Sequence, residues 1–541
     1  MPTVLPLVEE LVPPPDPAAT CERLVSLPYR VFLDSAAEGT LTGTNARLGR
    51  YSFLTAAPPF LVRSKGAHAE CLRLGDDGAV VSTEPAAGHA LDAVRRLLAP
   101  HLAEPVPGLP PFQGGAAGYI GYDWGAILER LPTPRYDDLA IPDVMLGVYD
   151  WVIAWDHAER RAWVVSTGLP ARGAERGRRA AERLRRVLRL LGGAAAAGGA
   201  PAGVQPDDAR RNERVTHGWA GEAIVAVGGG PPRRAPSYPL DGLVPAAGRI
   251  GLRSSFTHRG YLDAVTRVRE YIVAGDIFQA NVSQRLEAPL TEHPWSLYRR
   301  LRRLNPAPFA AYVDFGDVVV ASASPERFLG LHDGRTVEAR PIKGTRPRGV
   351  GPEHDAALGK ALLESAKDRA ENLMIVDLLR NDLSRVCRPG TVHVPELFAL
   401  ERYPTVHHLV STVVGELADG ADAADLLAAT FPGGSITGAP KIRAMEIIAE
   451  LEPSRRGVYC GSVGYWSVTG ALDTSIVIRT YLARGGRVYF SVGGGIVADS
   501  DPEEEYQETL TKGRALIQAL EEGMDQREGG VKSGEWRVTA R

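Results

Sequence analysis

Residues 318–349 read VVVASASPERFLGLHDGRTVEARPIKGTRPRG. Two strand-like runs, VVVASAS and TVEARPI, flank the segment SPERFLG. The alternation Val337, Ala339, Pro341, Lys343 puts one lysine in register with an apolar face. Partial desolvation lowers a lysine pKa and frees the amine as a nucleophile. Glu326 follows a strand-like run and a proline. A carboxylic acid at a strand end acts as a general acid when burial raises its pKa. Taken singly, each residue also has a plainer reading: a snorkelling surface lysine, or a glutamate paired with Arg327.

Moving outward, residues 255–520 alternate helical patterns (YLDAVTRVREYIVAG, ESAKDRAENLMIVDLLRNDLSRV, KIRAMEIIAEL) with strand patterns (SIVIRTYLA, RVYFSVGG). In SAKDRAENLMIVDLLRND, Asp368 and Glu371 lie three apart and share a helix face. Glu505 and Glu508 do the same in PEEEYQETLTKGRAL, with Lys512 one turn later. Two converging carboxylate pairs would make an oxygen-ligand site suited to Mg²⁺; apart, they are solvated charge. The run FPGGSITGAPKIRAMEII leads a Gly-rich turn into a helix, an expected anion site reinforced by Ser435, Thr437 and Lys441. It does not have the spacing of a phosphate loop. Gly493, Gly494 and Gly495 in SVGGGIV allow close backbone approach to a ligand. His407 and His408 are adjacent, so on a strand they point to opposite sides and make a poor metal pair.

Residues 1–168 form an expected N-terminal domain, of which 22 to about 168 reads as strands with few helices, as in RVFLDS and AWVVST. ERGRRAAERLRRVLRLLG, 175–192, reads as a basic amphipathic helix. With the Ala-, Gly- and Pro-rich stretch that follows, it makes a 169–254 helix-and-linker region, the linker ending near residue 250. Residues 521–541 read as a loose polar tail. The 541 residues suit two to four domains at about 150 residues each. A net charge of −3 gives no electrostatic case for nucleic acid or an anionic membrane. Cys21, Cys71, Cys387 and Cys460 are too scattered for a metal pattern or a disulfide framework. With no signal-peptide pattern and no apolar span, a cytoplasmic chain is expected.

Together and in order, GDIFQANVSQR, SPERFL, RPIKGTRPRG, DRAENLMIVDLLRNDL, FPGGSITGAPK, GVYCGSVGYW, IVIRTY, SVGGGIV and EYQETLTKGRAL resemble the chorismate-utilising enzymes over about residues 258–518. FLDSA, RYSFL and PFQGGAAGYIGYDW extend the resemblance to the amino-terminal domain of the two-component synthases. The resemblance implies an α+β fold: two large antiparallel β-sheets stacked as a β-sandwich, with helices packed outside. It also implies roles. Glu371 and Glu508 would be Mg²⁺ carboxylates supported by Asp368 and Glu505, and Glu326 would be the general acid. Tyr459, Arg479, Gly493 and Lys512 would bind substrate carboxylates, with Ser435, Thr437 and His408 lining the pocket. Ser35 and Tyr51 fall where the family has a tryptophan pocket.

Lys343 in PIKGT is the residue type usual in aminodeoxychorismate synthases, where anthranilate synthases usually have alanine. Gln279 stands where isochorismate and salicylate synthases have a water-activating lysine, and Asn281 leans toward the aminodeoxychorismate type. The implied reaction replaces the C4 hydroxyl of chorismate by ammonia through a Lys343 adduct at C2, for p-aminobenzoate and folate synthesis. No cysteine has a glutaminase setting, so a separate glutamine amidotransferase subunit is implied. Anthranilate formation is the alternative; an inactive chorismate- or tryptophan-binding regulatory subunit is a remote one.

Overall fold

The computed structural model describes residues 6–37, 47–192, 234–240, 244–403 and 406–528. Two antiparallel sheets dominate, one of 13 strands and one of 12 among the described residues. Each sheet is built from both ends of the chain. In the larger, Arg30–Asp34 pairs with Phe309–Asp314, placing Phe32 opposite Tyr312. In the smaller, Gly115–Ile120 pairs with Ser462–Ser467, placing Gly118 opposite Gly464. Both glycines are forced by close backbone approach: a Cβ would sit 2.2 Å from the Met145 carbonyl oxygen at Gly118, and 2.1 Å from that of Asp473 at Gly464.

The sheets stack face to face, as the resemblance implies. Val31, Phe53, Val152, Val313 and Val320 of the larger sheet meet Leu61, Tyr119, Met145, Val463 and Tyr465 of the smaller. Phe53 bridges the layers, its ring centroid 5.3 Å from Tyr465 and 5.7 Å from Phe112. Helices cover both outer faces. Gly173–Gly192, Pro294–Leu304 and Pro502–Glu528 pack on the larger sheet. Ala90–Leu98, Ala366–Ser384 and Ala423–Thr430 pack on the smaller.

Several sequence boundaries move. The basic helix is real, and two of its arginines are consumed locally: Arg179 and Arg183 both donate to the fully buried Asp150, each at 3.0 Å. The linker reading fails over 234–240 and 244–250, where Leu240, Val244, Ala247 and Ile250 are buried against the larger sheet and Tyr238–Pro239 adds a strand. The rest of that linker, 193–233, lies outside the described residues. The last helix continues to Glu528, beyond the expected start of the tail, because Leu520 and Met524 still reach the core. Residues 529–541 lie outside the described residues. Among the described residues no helix is long and apolar enough to cross a membrane.

Removing the ring that spans the two sheets should be costly. Phe53→Ala is expected to destabilise the chain by about 3–5 kcal/mol, read from the midpoint of denaturant unfolding. A loss below about 1 kcal/mol would show that Phe53 does not tie the layers.

Candidate active site

Glu326 follows the strand Val319–Ser324 and precedes Arg327–His332. Its carboxyl is buried, 5% exposed, and has no arginine partner among the described residues. Arg327 turns away, donating to Glu338 at 2.6 Å and to Asp473 at 2.9 and 2.8 Å. Glu326 Oε1 instead accepts from the Ser435 hydroxyl at 2.7 Å and from the Ile342 N–H at 3.4 Å. Burial raises its pKa to about 7, although Ser435, Ile342 and Lys343 favour the charged form.

Lys343 does not sit on one continuous strand with Val337. The strand Thr336–Ala339 ends, Arg340 and Pro341 interrupt, and Ile342–Pro347 begins with an irregular register against Val406–Glu416. The alternation through Val337 therefore does not set the direction of Lys343; the second strand does. Burial lowers its pKa, opposed by Glu371, Glu326 and Glu508 and assisted by Lys512. The helix Ala366–Ser384 carries Glu371, whose pKa burial raises despite Lys343 and Lys367. The helix Pro502–Glu528 carries Glu505, Glu508 and Lys512. Burial would raise Glu508, but Lys512, 2.5 Å away, and then Lys343 and Lys367 hold it below the usual carboxylate range. Lys512 also donates to the Gly493 carbonyl at 3.1 Å.

The glycine strand explains how these groups fit. A Cβ at Gly494 would lie 2.9 Å from Glu505 Oε2, 3.5 Å from Glu508 Oε1 and 3.8 Å from Lys512 Nζ. One at Gly495 would lie 2.2 Å from Gln279 Nε2. Gln279 is fully buried and its Oε1 has no hydrogen-bond partner among the described residues.

Among the described residues, no three His, Cys, Asp or Glu side chains converge as a preformed metal cage. Asp368 is 2.7 Å from Arg346, and Glu505 accepts from Ser500 at 2.6 Å. Glu371 and Glu508 remain as carboxylates from two helices within Coulombic reach of each other. Such a pair suits Mg²⁺, which takes one or two protein carboxylates and completes its shell with substrate and water.

Arg479 supplies positive charge. The sequence pattern predicts one strand over 475–483, but the structure breaks it into Leu472–Ile476 and Thr480–Arg484, with Arg479 at φ 54° between them. No carboxylate pairs with Arg479 among the described residues. Burial lowers its pKa, while Tyr459 and Glu508 favour its charge. His408 is neutral: burial, then Arg479 and His407, bring it down to about 3. Its Nδ1 is 2.9 Å from Thr345 Oγ1. As alternation requires, His407 points the other way, to Asp355 at 2.9 Å.

The expected anion site at the Gly-rich turn is not formed by its side chains. Lys441 reaches Asp382 at 2.5 Å and the Thr430 carbonyl at 2.8 Å, Thr437 caps the Gly433 carbonyl at 3.0 Å, and Ser435 serves Glu326. Each is spent inside the fold, so none is left for an anion.

This geometry has known relatives. The family of chorismate binding enzymes matches residues 236–518, more than half of the chain. This chain belongs to the chorismate binding enzymes. It is 42% identical over 422 residues to aminodeoxychorismate synthase component 1 of Salmonella typhimurium, covering 78% of this chain and 80% of that protein. It is 43% identical over 417 residues to anthranilate synthase component 1 of Thermus thermophilus, covering 77% and 79%. In structure it resembles anthranilate synthase component I from Streptococcus pneumoniae, with a TM-score of 0.67 and 31% identity over 86% of this chain and 91% of that one. MenF, the menaquinone-specific isochorismate synthase of Escherichia coli, shares the fold at a TM-score of 0.63 and 17% identity, covering 96% of each chain.

Within this chorismate-binding frame, Glu326, Lys343, Glu371, Glu508, Lys512, Gly493, Arg479, Tyr459 and His408 form one electrostatic neighbourhood. Ser35 and Tyr51 do not join it. They line a separate cavity of about 250 Å³ with Arg50, Phe309 and Tyr465. Sequence reasoning missed Arg346, Ser500 and Thr345, which hold Asp368, Glu505 and His408. Arg346 and Thr345 lie in the quoted KGTRPRG run, but nothing in the spacing reveals their partners.

A half-buried arginine with no protein carboxylate should hold an anionic ligand. Arg479→Gln is expected to weaken chorismate binding by about 1.5–3 kcal/mol, measured by calorimetry, with unchanged circular dichroism. Unaltered affinity would remove Arg479 from the binding set.

Proposed function

We propose that this chorismate-utilising enzyme is an aminodeoxychorismate synthase component, replacing the C4 hydroxyl of chorismate with ammonia. The observation that supports this reading is Lys343: an amine with lowered pKa in the same buried neighbourhood as the Glu326 acid. Direct amination at C2, as anthranilate formation needs, has no use for a second amine there. Amination at C4 with retention of stereochemistry does, because two displacements restore the configuration.

In the first step the Lys343 amine attacks C2, the ring double bond shifts, and the C4–O bond breaks. Glu326 gives its proton to the departing hydroxyl, which leaves as water. In the second step ammonia attacks C4, the double bond shifts back, and the C2–N bond breaks to release Lys343. The proton shed by the incoming nitrogen restores Glu326. Glu371 and Glu508 would hold Mg²⁺, with Asp368 and Glu505 supporting them; when bound, the ion supplies charge for the ring carboxylate. Arg479, Tyr459 and Lys512 would take the substrate's carboxylates. The orphaned Gln279 Oε1 offers an acceptor to an N–H of ammonia.

The names of the relatives, component 1, imply a second component; a glutamine amidotransferase supplying ammonia is the proposed one. A separate lyase would carry the product to p-aminobenzoate and folate, in the cytoplasm. The cavity at Ser35 and Tyr51 is assigned to a tryptophan-sized ligand. Anthranilate formation is the second reading, favoured by relatives of that name at similar identity.

The purified chain with chorismate, Mg²⁺ and ammonium should yield aminodeoxychorismate, converted to p-aminobenzoate only after a lyase is added; direct anthranilate would overturn the assignment. Lys343→Ala should abolish C4 amination, and Glu326→Gln should slow it about 10²–10⁴-fold. The protonated form of Glu326 is the active one, so kcat/KM should fall as pH rises through about 7, and this limb should vanish in Glu326→Gln. Chelation by EDTA should stop turnover and added Mg²⁺ restore it; full activity in EDTA would exclude the metal.

A further inference from the structure

Resemblance places Ser435 among the pocket-lining residues and makes Asn281 a marker of branch. The structure shows both occupied elsewhere. The Asn281 side chain donates through Nδ2 to the Ser435 carbonyl at 2.7 Å and accepts from Gln279 Nε2 at 3.3 Å. The Asn281 N–H donates to the Thr437 carbonyl at 2.8 Å. Between these, Arg456 donates to the Ile436 carbonyl at 3.0 Å and to the Asn281 carbonyl at 2.8 Å. Arg456 is itself buried and held by Glu452 at 2.9 and 2.7 Å. Three successive carbonyls of the Gly-rich turn are therefore anchored, two of them by Asn281.

From that anchored turn, the Ser435 hydroxyl points at Glu326 Oε1, 2.7 Å away. The Ile342 N–H approaches the same oxygen at 3.4 Å. No hydrogen bond reaches Glu326 Oε2 among the described residues. A hydroxyl that donates to Oε1 occupies that oxygen as an acceptor, so a carboxyl proton belongs on Oε2.

We propose that Asn281 and Ser435 are a positioning pair for Glu326: Asn281 fixes the turn, and the Ser435 hydroxyl holds Oε1 so that the acid proton is carried on Oε2. The pair acts through Glu326 and does not touch substrate. This rests on the reading of Glu326 as the general acid. The other groups facing Glu326 are Lys343, whose charge favours the carboxylate, and the neutral Tyr403 and Cys460.

The test separates this role from a substrate contact. Infrared titration of the chain without chorismate follows the protonated carboxyl band that Glu326→Gln removes. Loss of the Ser435 hydroxyl removes a bond that favours the charged form, so in Ser435→Ala the titration should move to higher pH by on the order of one unit. Ser435→Thr, which keeps a hydroxyl, should return it. Asn281→Leu should move it in the same direction by less. Chorismate affinity of Ser435→Ala should stay within about twofold by calorimetry. An unmoved titration, or an affinity loss of about tenfold or more, would overturn the proposal and return Ser435 to the substrate-binding set. Should Ser435→Ala fail to fold, Asn281→Leu decides by the same titration. Because the titration needs no turnover, the two failures are distinguishable: wild-type chain that leaves chorismate unaminated would refute the proposed function, whereas an unmoved titration in an active chain would refute the pair alone.

Discussion

The ion triad of Arg327 with Glu338 and Asp473 is the constraint on which the site depends. Arg327 is nearly buried, and a buried guanidinium left unpaired would be severely destabilising. By pairing with two carboxylates, it leaves the adjacent Glu326 without an arginine partner among the described residues. Glu326 then has only a hydroxyl and an amide N–H as donors, with the nearby charge of Lys343, together too little to offset its desolvation, so burial raises its pKa to about 7. The triad also walls the cavity that holds Ser35 and Tyr51. Two neighbouring residues thus face two different compartments.

Around that acid the fold assembles charge from separated segments. Two helices bring carboxylates, a broken strand brings Arg479, and an irregular strand brings Lys343. The glycine run Gly493–Gly495 keeps the space between them open, because any Cβ there would meet Glu505, Gln279 or the backbone of Val282. Lysines and carboxylates in one partly desolvated space hold each other's pKa values off their ordinary positions, as a site for acid and amine chemistry requires.

Local periodicity read some elements closely. KIRAMEIIAEL is the helix Lys441–Leu451, residue for residue. The acidic pairs do share helix faces, and His407 and His408 do diverge. Periodicity failed where tertiary contacts overrode it. A strand drawn through 475–483 misses the kink at Arg479, and a strand drawn through 337–343 misses the break at Arg340, whose guanidinium is spent on Glu401 and Thr412. Lys441 looked like an anion ligand because its partner, Asp382, lies 59 residues away.

The amino-acid sequence by itself determined the family and, through the resemblance its ordered motifs carry, the two stacked antiparallel sheets; it also singled out Glu326, Lys343 and the helix carboxylates as candidates. These follow from local pattern and from the order of motifs along the chain. Only the tertiary structure decided which of those groups meet, which are spent on internal partners, and which oxygen of Glu326 is left free. The physical reason is that a side chain's charge state and availability depend on burial and on partners tens to hundreds of residues distant. Spacing along a helix or strand carries no record of either.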